Sequence, residues 1–172
     1  AIENVKEGIG EIEDEKLRIA WPYTHVFLDR ELFTWLEETY GAVTILDILG
    51  NYQVEPHDTS TLEKCYDSLA KGTLGYSMIG ACRGPAEYYI EYVINYVRDY
   101  NVDCVIYPMQ YACKHAFAMA RITSEVVREE TGIPSLIFGC DPYDSREVPA
   151  EAIRAKISEF IEQIAGISIP TM

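Results

Sequence analysis

Four short runs are apolar almost end to end: LRIAW (17–21), AVTILDIL (42–49), VDCVIYP (102–108) and IPSLIFGC (133–140). A strand with one face in water alternates apolar and polar residues; a run without alternation must be covered on both faces. The runs are separated by segments of helical length, so strands and helices alternate along the chain. That order implies a parallel sheet whose crossover helices supply the two covering layers.

The intervening segments carry the matching helical periods. In ELFTWLEETYG, the residues Leu32, Phe33, Leu36 and Tyr40 share one face and Gly41 is the stop. TSTLEKCYDSLAKG opens on capping residues and is expected to end at Gly72. A glycine-rich stretch without clear period follows, from Gly72 to Arg83. GPAEYYIEYVINYVRDYN has Pro85 near its first turn and an apolar face of Tyr89, Ile90, Val93, Ile94 and Val97. CKHAFAMARITSEVVREETG closes at Gly132. After Pro149 a last stripe comprises Ile153, Ile157, Phe160, Ile161 and Ile164. The reading is a three-layer α/β domain, flavodoxin-like or Rossmann-like, with a four-stranded parallel sheet. Residues 1–16 are acidic, are broken by Gly8 and Gly10, and read as a linker or lead-in; residues 17–172 form the α/β domain.

The size, 172 residues with 48% apolar and 24% charged, suffices for a core without disulfide staples. The formal net charge of −14 argues against nucleic acid and against an anionic membrane surface as partners. Five cysteines at irregular spacings, an odd number, do not form a disulfide framework and suit a reducing cytoplasm. No apolar stretch is long enough to span a bilayer, and no signal-peptide pattern opens the chain.

Ligands of open parallel sheets bind beyond the carboxyl ends of the strands. That selects four loops: Pro22 to Asp29, Gly50 to Pro56, Pro108 to His115, and Asp141 to Pro149. Cys113 lies in the third, just before a helix, where free backbone N–H groups and the helix dipole favour a thiolate. Position alone leaves two readings of Cys113 open, ligand or small packed hydrophobe. Cys104, within a strand, is read as packing. Cys65 is read as packing or surface, Cys82 as packing with a place facing the crevice as the alternative, and Cys140 as packing with a ligand role in reserve. Trp21 to His25 and Met109 to Tyr111 are expected to border the same pocket as Cys113, with His25 and Gln110 among its few polar groups. His25, His57 and His115 are too scattered to specify a zinc site. Asp141, Asp144 and Arg146 are read as a local turn network. Gly8-Ile9-Gly10 is not a dinucleotide fingerprint, and there is neither a Walker loop nor a nucleophile elbow.

The stretch VDCVIYPMQYACK, followed by REETGIPSLIFGCDPYDSREVPAEAIRAKISEFIE, resembles the C-terminal half of a subunit of the 2-hydroxyacyl-CoA dehydratase family. That family also includes benzoyl-CoA reductase subunits. The matching features are Cys113-Lys114, Gly132-Ile133-Pro134, Asp141 to Arg146, and Glu159-Phe160-Ile161-Glu162. EKLRIAWPY near the start also resembles the beginning of the family's second domain. Tyr111 and Ala112 stand where an Arg and a Ser often precede the Cys–Lys pair.

The resemblance implies two flavodoxin-like domains per subunit with a [4Fe–4S] cluster between them. Two cysteine ligands come from the first domain and one from the second; by motif position the latter is Cys113. Residues 1–16 would then be the lead-in from an N-terminal domain that the sequence lacks. The resemblance further implies a homologous second subunit, an ATP-hydrolysing iron–sulfur activator and an acyl-CoA substrate. The reaction it implies is elimination of water from a 2-hydroxyacyl-CoA through a ketyl radical after one-electron activation. In benzoyl-CoA reductase relatives the electrons reduce a ring instead. His25, Gln110 and Tyr111 are the expected pocket residues beside Cys113. The competing reading is a non-catalytic flavodoxin-like binding module, since fold alone does not give function.

Overall fold

The computed structural model describes residues 2–10, 12–47, 56–76, 80, 82 and 84–165. The elements run α1 (Ile2–Lys6), β1 (Leu17–Trp21), α2 (Leu32–Tyr40), β2 (Ala42–Asp47) and α3 (Leu62–Gly75), and continue with α4 (Ala86–Asp99), β3 (Cys104–Gln110), α5 (Lys114–Thr131), β4 (Ser135–Cys140) and α6 (Ala150–Ala165). The four strands form one sheet in the order β2-β1-β3-β4, and every pairing is parallel. The three-layer flavodoxin-like architecture expected from the apolar runs is therefore the architecture observed.

Strand parity sorts the core into two halves. Ala20, Val105 and Tyr107 face α4 and α5, where they pack with Tyr89, Val93, Val97, Met119 and Val127. Leu17, Ile19, Trp21, Cys104 and Ile106 face α2 and α6, against Leu32, Leu36, Ile153, Ile157 and Ile161. The apolar face of α4 is the one read from its period: Tyr89, Ile90, Val93, Ile94 and Val97 are all buried. On the opposite side the Tyr40 hydroxyl meets Ser158 Oγ at 2.8 Å, joining α2 to α6. Gly41, at φ 62°, caps α2 in the left-handed region, and its N–H returns to the Glu37 carbonyl at 2.9 Å.

Several boundaries differ from expectation. β3 and β4 begin two residues later than the apolar runs and β3 ends two residues later, at Gln110. Pro108 therefore lies within β3, paired with Phe138, and the loop begins at Tyr111 rather than at Pro108. The geometry explains why a proline is tolerated there. Val105 N–H bonds to Pro134 O and Tyr111 N–H to Cys140 O, so odd residues of β3 donate towards β4. By alternation the N–H that Pro108 lacks would point towards β1. Among the described residues the β1–β3 ladder pairs Ile19 with Cys104 and Ala20 with Val105 and goes no further. No ladder bond is lost, and nothing at Pro108 draws the two strand ends together.

Helix α3 runs through Gly72 to Gly75, because glycine lowers helix propensity without forbidding a helix. Its start is capped by Thr61, whose hydroxyl accepts from Lys64 N–H at 3.2 Å. None of its residues is buried. Residues 48 and 49 of the second apolar run, and residues 50–55 of the loop after it, lie outside the described residues. Among the described residues of 1–16 the chain forms the short helix α1 before Lys16 N–H bonds to the Gly41 carbonyl at 2.8 Å. No helix among the described residues is long and apolar enough to cross a membrane.

Candidate functional site

In the order β2-β1-β3-β4 the chain moves outward from β1 to β2 and then returns past β1 to β3. The carboxyl ends of β1 and β3 therefore flank the topological switch point, where helices and loops diverge and leave a crevice. Pro22 and Tyr23 follow β1 at this place, and Tyr111, Ala112 and Cys113 follow β3. Cys113 is the residue that caps α5. Its N–H bonds to the Gln110 carbonyl at 3.1 Å, closing a tight turn, and its carbonyl accepts the first bond of the helix from Phe117 N–H at 3.1 Å. The backbone on either side thus fixes where the sulfur stands.

Across the switch point the Tyr23 hydroxyl donates to Cys113 Sγ at 2.8 Å. Tyr23 is only 5% exposed, and its ring stacks on Tyr107 with centroids 6.0 Å apart and planes within 6°. The Tyr107 hydroxyl lies 3.0 Å from that of Tyr89, and Tyr89 donates to the Pro22 carbonyl at 2.6 Å. A carbonyl only accepts, so the single Tyr89 proton is committed to Pro22, and Tyr107 must donate to Tyr89. The chain of contacts closes on the residue next to Tyr23. Buried tyrosine hydroxyls need partners: Tyr23 finds the Cys113 sulfur, Tyr107 the Tyr89 hydroxyl, and Tyr89 the Pro22 carbonyl.

The electrostatics separate Cys113 from the other thiols. Partial burial raises its pKa, but the amide of Ala116, the Tyr23 hydroxyl and the amide of His115 outweigh that, leaving the thiol below its ordinary value. Neither amide closes a full capping hydrogen bond at the sulfur. Tyr23 moves the other way: burial first, then the bond to Cys113, hold its phenol above the usual range. Of the two groups the sulfur gives up its proton before the phenol does. Burial, with Asp103 beside it, pushes the Cys104 thiol up to about 12. Burial and Asp141 push the Cys140 thiol up to about 11. Both are packed on the α2/α6 side, the packing role expected of them. Cys82 is half-buried against the same core cluster as Cys113; burial and then the charge of Cys113 raise its thiol.

The other expected pocket residues are placed as follows. Gln110 ends β3 and provides the carbonyl that holds the Cys113 amide. Tyr111 is exposed and folds back over β4, its ring so close to the Gly139 Cα that any side chain there would collide. His25 has its ring edge-on to Phe33 at 5.2 Å and beside Phe27 at 5.8 Å. Trp21 points into the α2/α6 core, its indole N–H donating to the Thr24 carbonyl at 2.8 Å. The loop containing His25 leans towards the loop after β4: Phe27 stacks on Tyr143 at 5.0 Å, and Leu28 N–H bonds to Pro142 O. Asp141 and Asp144 form the local turn network expected of them; Asp141 Oδ1 accepts from Tyr143 and Asp144 N–H, and Asp144 pairs with Arg146.

Sequence reading singled out Cys113 but not Tyr23, Tyr107 or Tyr89. Tyr23 lay inside the range Trp21 to His25 expected near the cysteine, yet nothing marked it above its neighbours. Tyr107 shares parity with Val105, which would have put it on the α4/α5 face. His115 lies in the first turn of α5 with its ring edge-on to Tyr89 at 5.5 Å; its Nδ1 is buried without a partner among the described residues. No group of three or more His, Cys, Asp or Glu among the described residues is placed to hold a metal ion.

Residues 1–164 match the family model described as 2-hydroxyglutaryl-CoA dehydratase, D-component. No curated protein matches the chain.

Proposed function

The chain belongs to the 2-hydroxyglutaryl-CoA dehydratase D-component family, and from that premise we propose that it is part of a subunit of an (R)-2-hydroxyacyl-CoA dehydratase, with Cys113 as one ligand of a [4Fe–4S] cluster. The proposed reaction is elimination of water from the acyl-CoA through a ketyl radical, after ATP-driven one-electron activation by an iron–sulfur activator protein. The enzyme would pair this subunit with a homologous second one and work in a reducing cytoplasm.

The observation that carries the cluster reading is the Cys113 sulfur itself. It is half-buried at the β1/β3 switch point, at a helix N-terminus, with a hydroxyl donor held against it and a pKa below that of an ordinary thiol. Soft thiolates at such places bind iron–sulfur clusters. One thiolate cannot hold four irons. The further cysteine ligands are proposed to come from an N-terminal domain, with residues 1–16 as the lead-in to residues 17–172.

When bound, the cluster supplies the single electrons that make the loss of an unactivated hydroxyl group accessible. This chain's residues do the rest by position. Gln110 and Phe117 fix the Cys113 backbone, Tyr23 holds its sulfur, and the packed tyrosines beneath exclude water from that side of the crevice.

The test is anaerobic purification of the complete enzyme carrying Cys113→Ser or Cys104→Ser, with iron counting and turnover driven by the activator and ATP. Serine stays protonated at neutral pH and is a poor iron ligand. Cys113→Ser should lose this subunit's iron and nearly all turnover while keeping the fold. Cys104→Ser should retain iron and lose some stability, because it places a hydroxyl in the α2/α6 core. Full iron and turnover in Cys113→Ser would sink the reading and leave a binding module in its place.

A further inference from the structure

The contact between Tyr23 and Cys113 has a use beyond ligation. Resting on the reading of Cys113 as a cluster ligand, we infer that Tyr23 is a positioning residue that donates a hydrogen bond to the ligating sulfur and thereby sets the reduction potential of the cluster.

Three features of the geometry carry this. The hydroxyl reaches the sulfur at 2.8 Å from the other side of the switch point, so it belongs to a different strand end from the ligand it touches. Tyr23 is 5% exposed as a residue and its bond to the sulfur is part-buried, which limits the competition of water for the proton it offers. Its ring is held by its stack on Tyr107, and Tyr107 is held through Tyr89 to the carbonyl of Pro22, the residue before Tyr23. The stack fixes the ring from which the hydroxyl is offered, so the direction of the donor is set by ring packing.

The direction of the effect follows from charge. Reduction adds negative charge to the cluster and its sulfur ligands. A hydrogen bond to a ligating sulfur stabilises the more negative state more, which raises the potential. Removing the hydroxyl should lower it. The bond is made in both oxidation states, so only its difference between them counts; the expected change is at most about tenfold in the reduced-to-oxidised ratio at a fixed potential, or about 59 mV for a one-electron couple.

The experiment compares the complete enzyme with its Tyr23→Phe, Tyr107→Phe and Cys113→Ser variants, purified without oxygen. The readouts are iron content, potentiometric titration and the electron paramagnetic resonance spectrum of the reduced cluster. Tyr23→Phe keeps the ring and its stack, so it should keep its iron, shift the potential negative and alter the spectrum. Tyr107→Phe removes a hydroxyl from the same core yet leaves the Tyr23–Cys113 bond, so its potential should stay at the parent value. A site-specific 3-fluorotyrosine at position 23 is a stronger donor of the same shape and should move the potential positive; it serves even if Tyr23→Phe does not fold. A parent potential in both the phenylalanine and fluorotyrosine proteins at position 23 overturns the inference, as does an equal shift in Tyr107→Phe. Iron retained in Cys113→Ser overturns the cluster reading itself, which is a different result.

Discussion

The hydroxyl of Tyr107 donates to that of Tyr89, 3.0 Å away, because the only proton of Tyr89 is already given to the Pro22 carbonyl. One residue belongs to a central strand and the other to a helix, and the pair ties both to the loop that carries Tyr23. This arrangement orders the proton positions through the α4/α5 core beneath the crevice.

Tyr89→Phe should therefore be costly for so small a change. It leaves the Tyr107 hydroxyl buried without an acceptor and the Pro22 carbonyl without its donor. A loss of about 1–3 kcal/mol is expected from urea midpoints. Tyr89→Phe combined with Tyr107→Phe should cost less than the sum of the two single changes, since it removes both partners of one contact.

The thiols give stability an alkaline limit with a definite sign. Cys104 and Cys140 hold their protons to about 12 and about 11 in the folded chain, while an unfolded thiol releases its proton near 9.0. Below that ordinary value both states are protonated and the contribution is fully present. Above it the unfolded state loses protons first, so stability falls as pH rises towards the folded values. Each thiol adds a slope of at most about 1.4 kcal/mol per pH unit. Urea midpoints from pH 8 upward should decline less steeply in Cys104→Ala, once its constant cavity cost is subtracted. Cys113 has the opposite sign: its pKa is depressed by folding, so its contribution is present at high pH and is lost as pH falls through its lowered value. In cluster-free protein it should be alkylated by iodoacetamide at lower pH than Cys82.

Asp29 and Arg154 form a two-pronged pair at 2.6 and 2.7 Å, and the guanidinium also lies 5.0 Å over the Trp35 ring. The Asp29 side chain is 7% exposed, so Arg154→Ala would strand a buried carboxylate. A destabilisation of about 2–4 kcal/mol is expected by calorimetry. Arg154→Lys should recover only part of it, because an ammonium cannot match both oxygens or lie flat on the indole.

Gly139→Ala should displace Tyr111, whose ring occupies the space that a Cβ would take. Tyr111 is exposed and free to swing away, so the cost should be about 1 kcal/mol. Tyr111→Ala made together with Gly139→Ala should show almost no further loss beyond Tyr111→Ala alone. A double-mutant cycle in urea would read that coupling directly.

Periodicity along the chain was enough to determine the layers. Apolar runs without alternation could only be strands covered on both faces, and the α4 stripe named its five buried residues. Cys113 was legible as a special position because a strand–cysteine–helix order is a local pattern. Pro108 shows where local pattern fell short. Proline reads as a strand end, and only the early termination of the β1–β3 ladder makes it harmless inside β3. Likewise α3 runs on past Gly72, which read as its stop, to Gly75. The partner of Cys113 was decided by tertiary structure alone. Tyr23 and Cys113 are ninety residues apart, and their meeting depends on β3 lying beside β1 in the sheet. The parity of Tyr107 and the helical phase of Tyr89 can each be read along the chain. That their hydroxyls converge on the carbonyl of Pro22 depends on the packing of α4 onto the sheet, a three-dimensional relation that no one-dimensional period encodes.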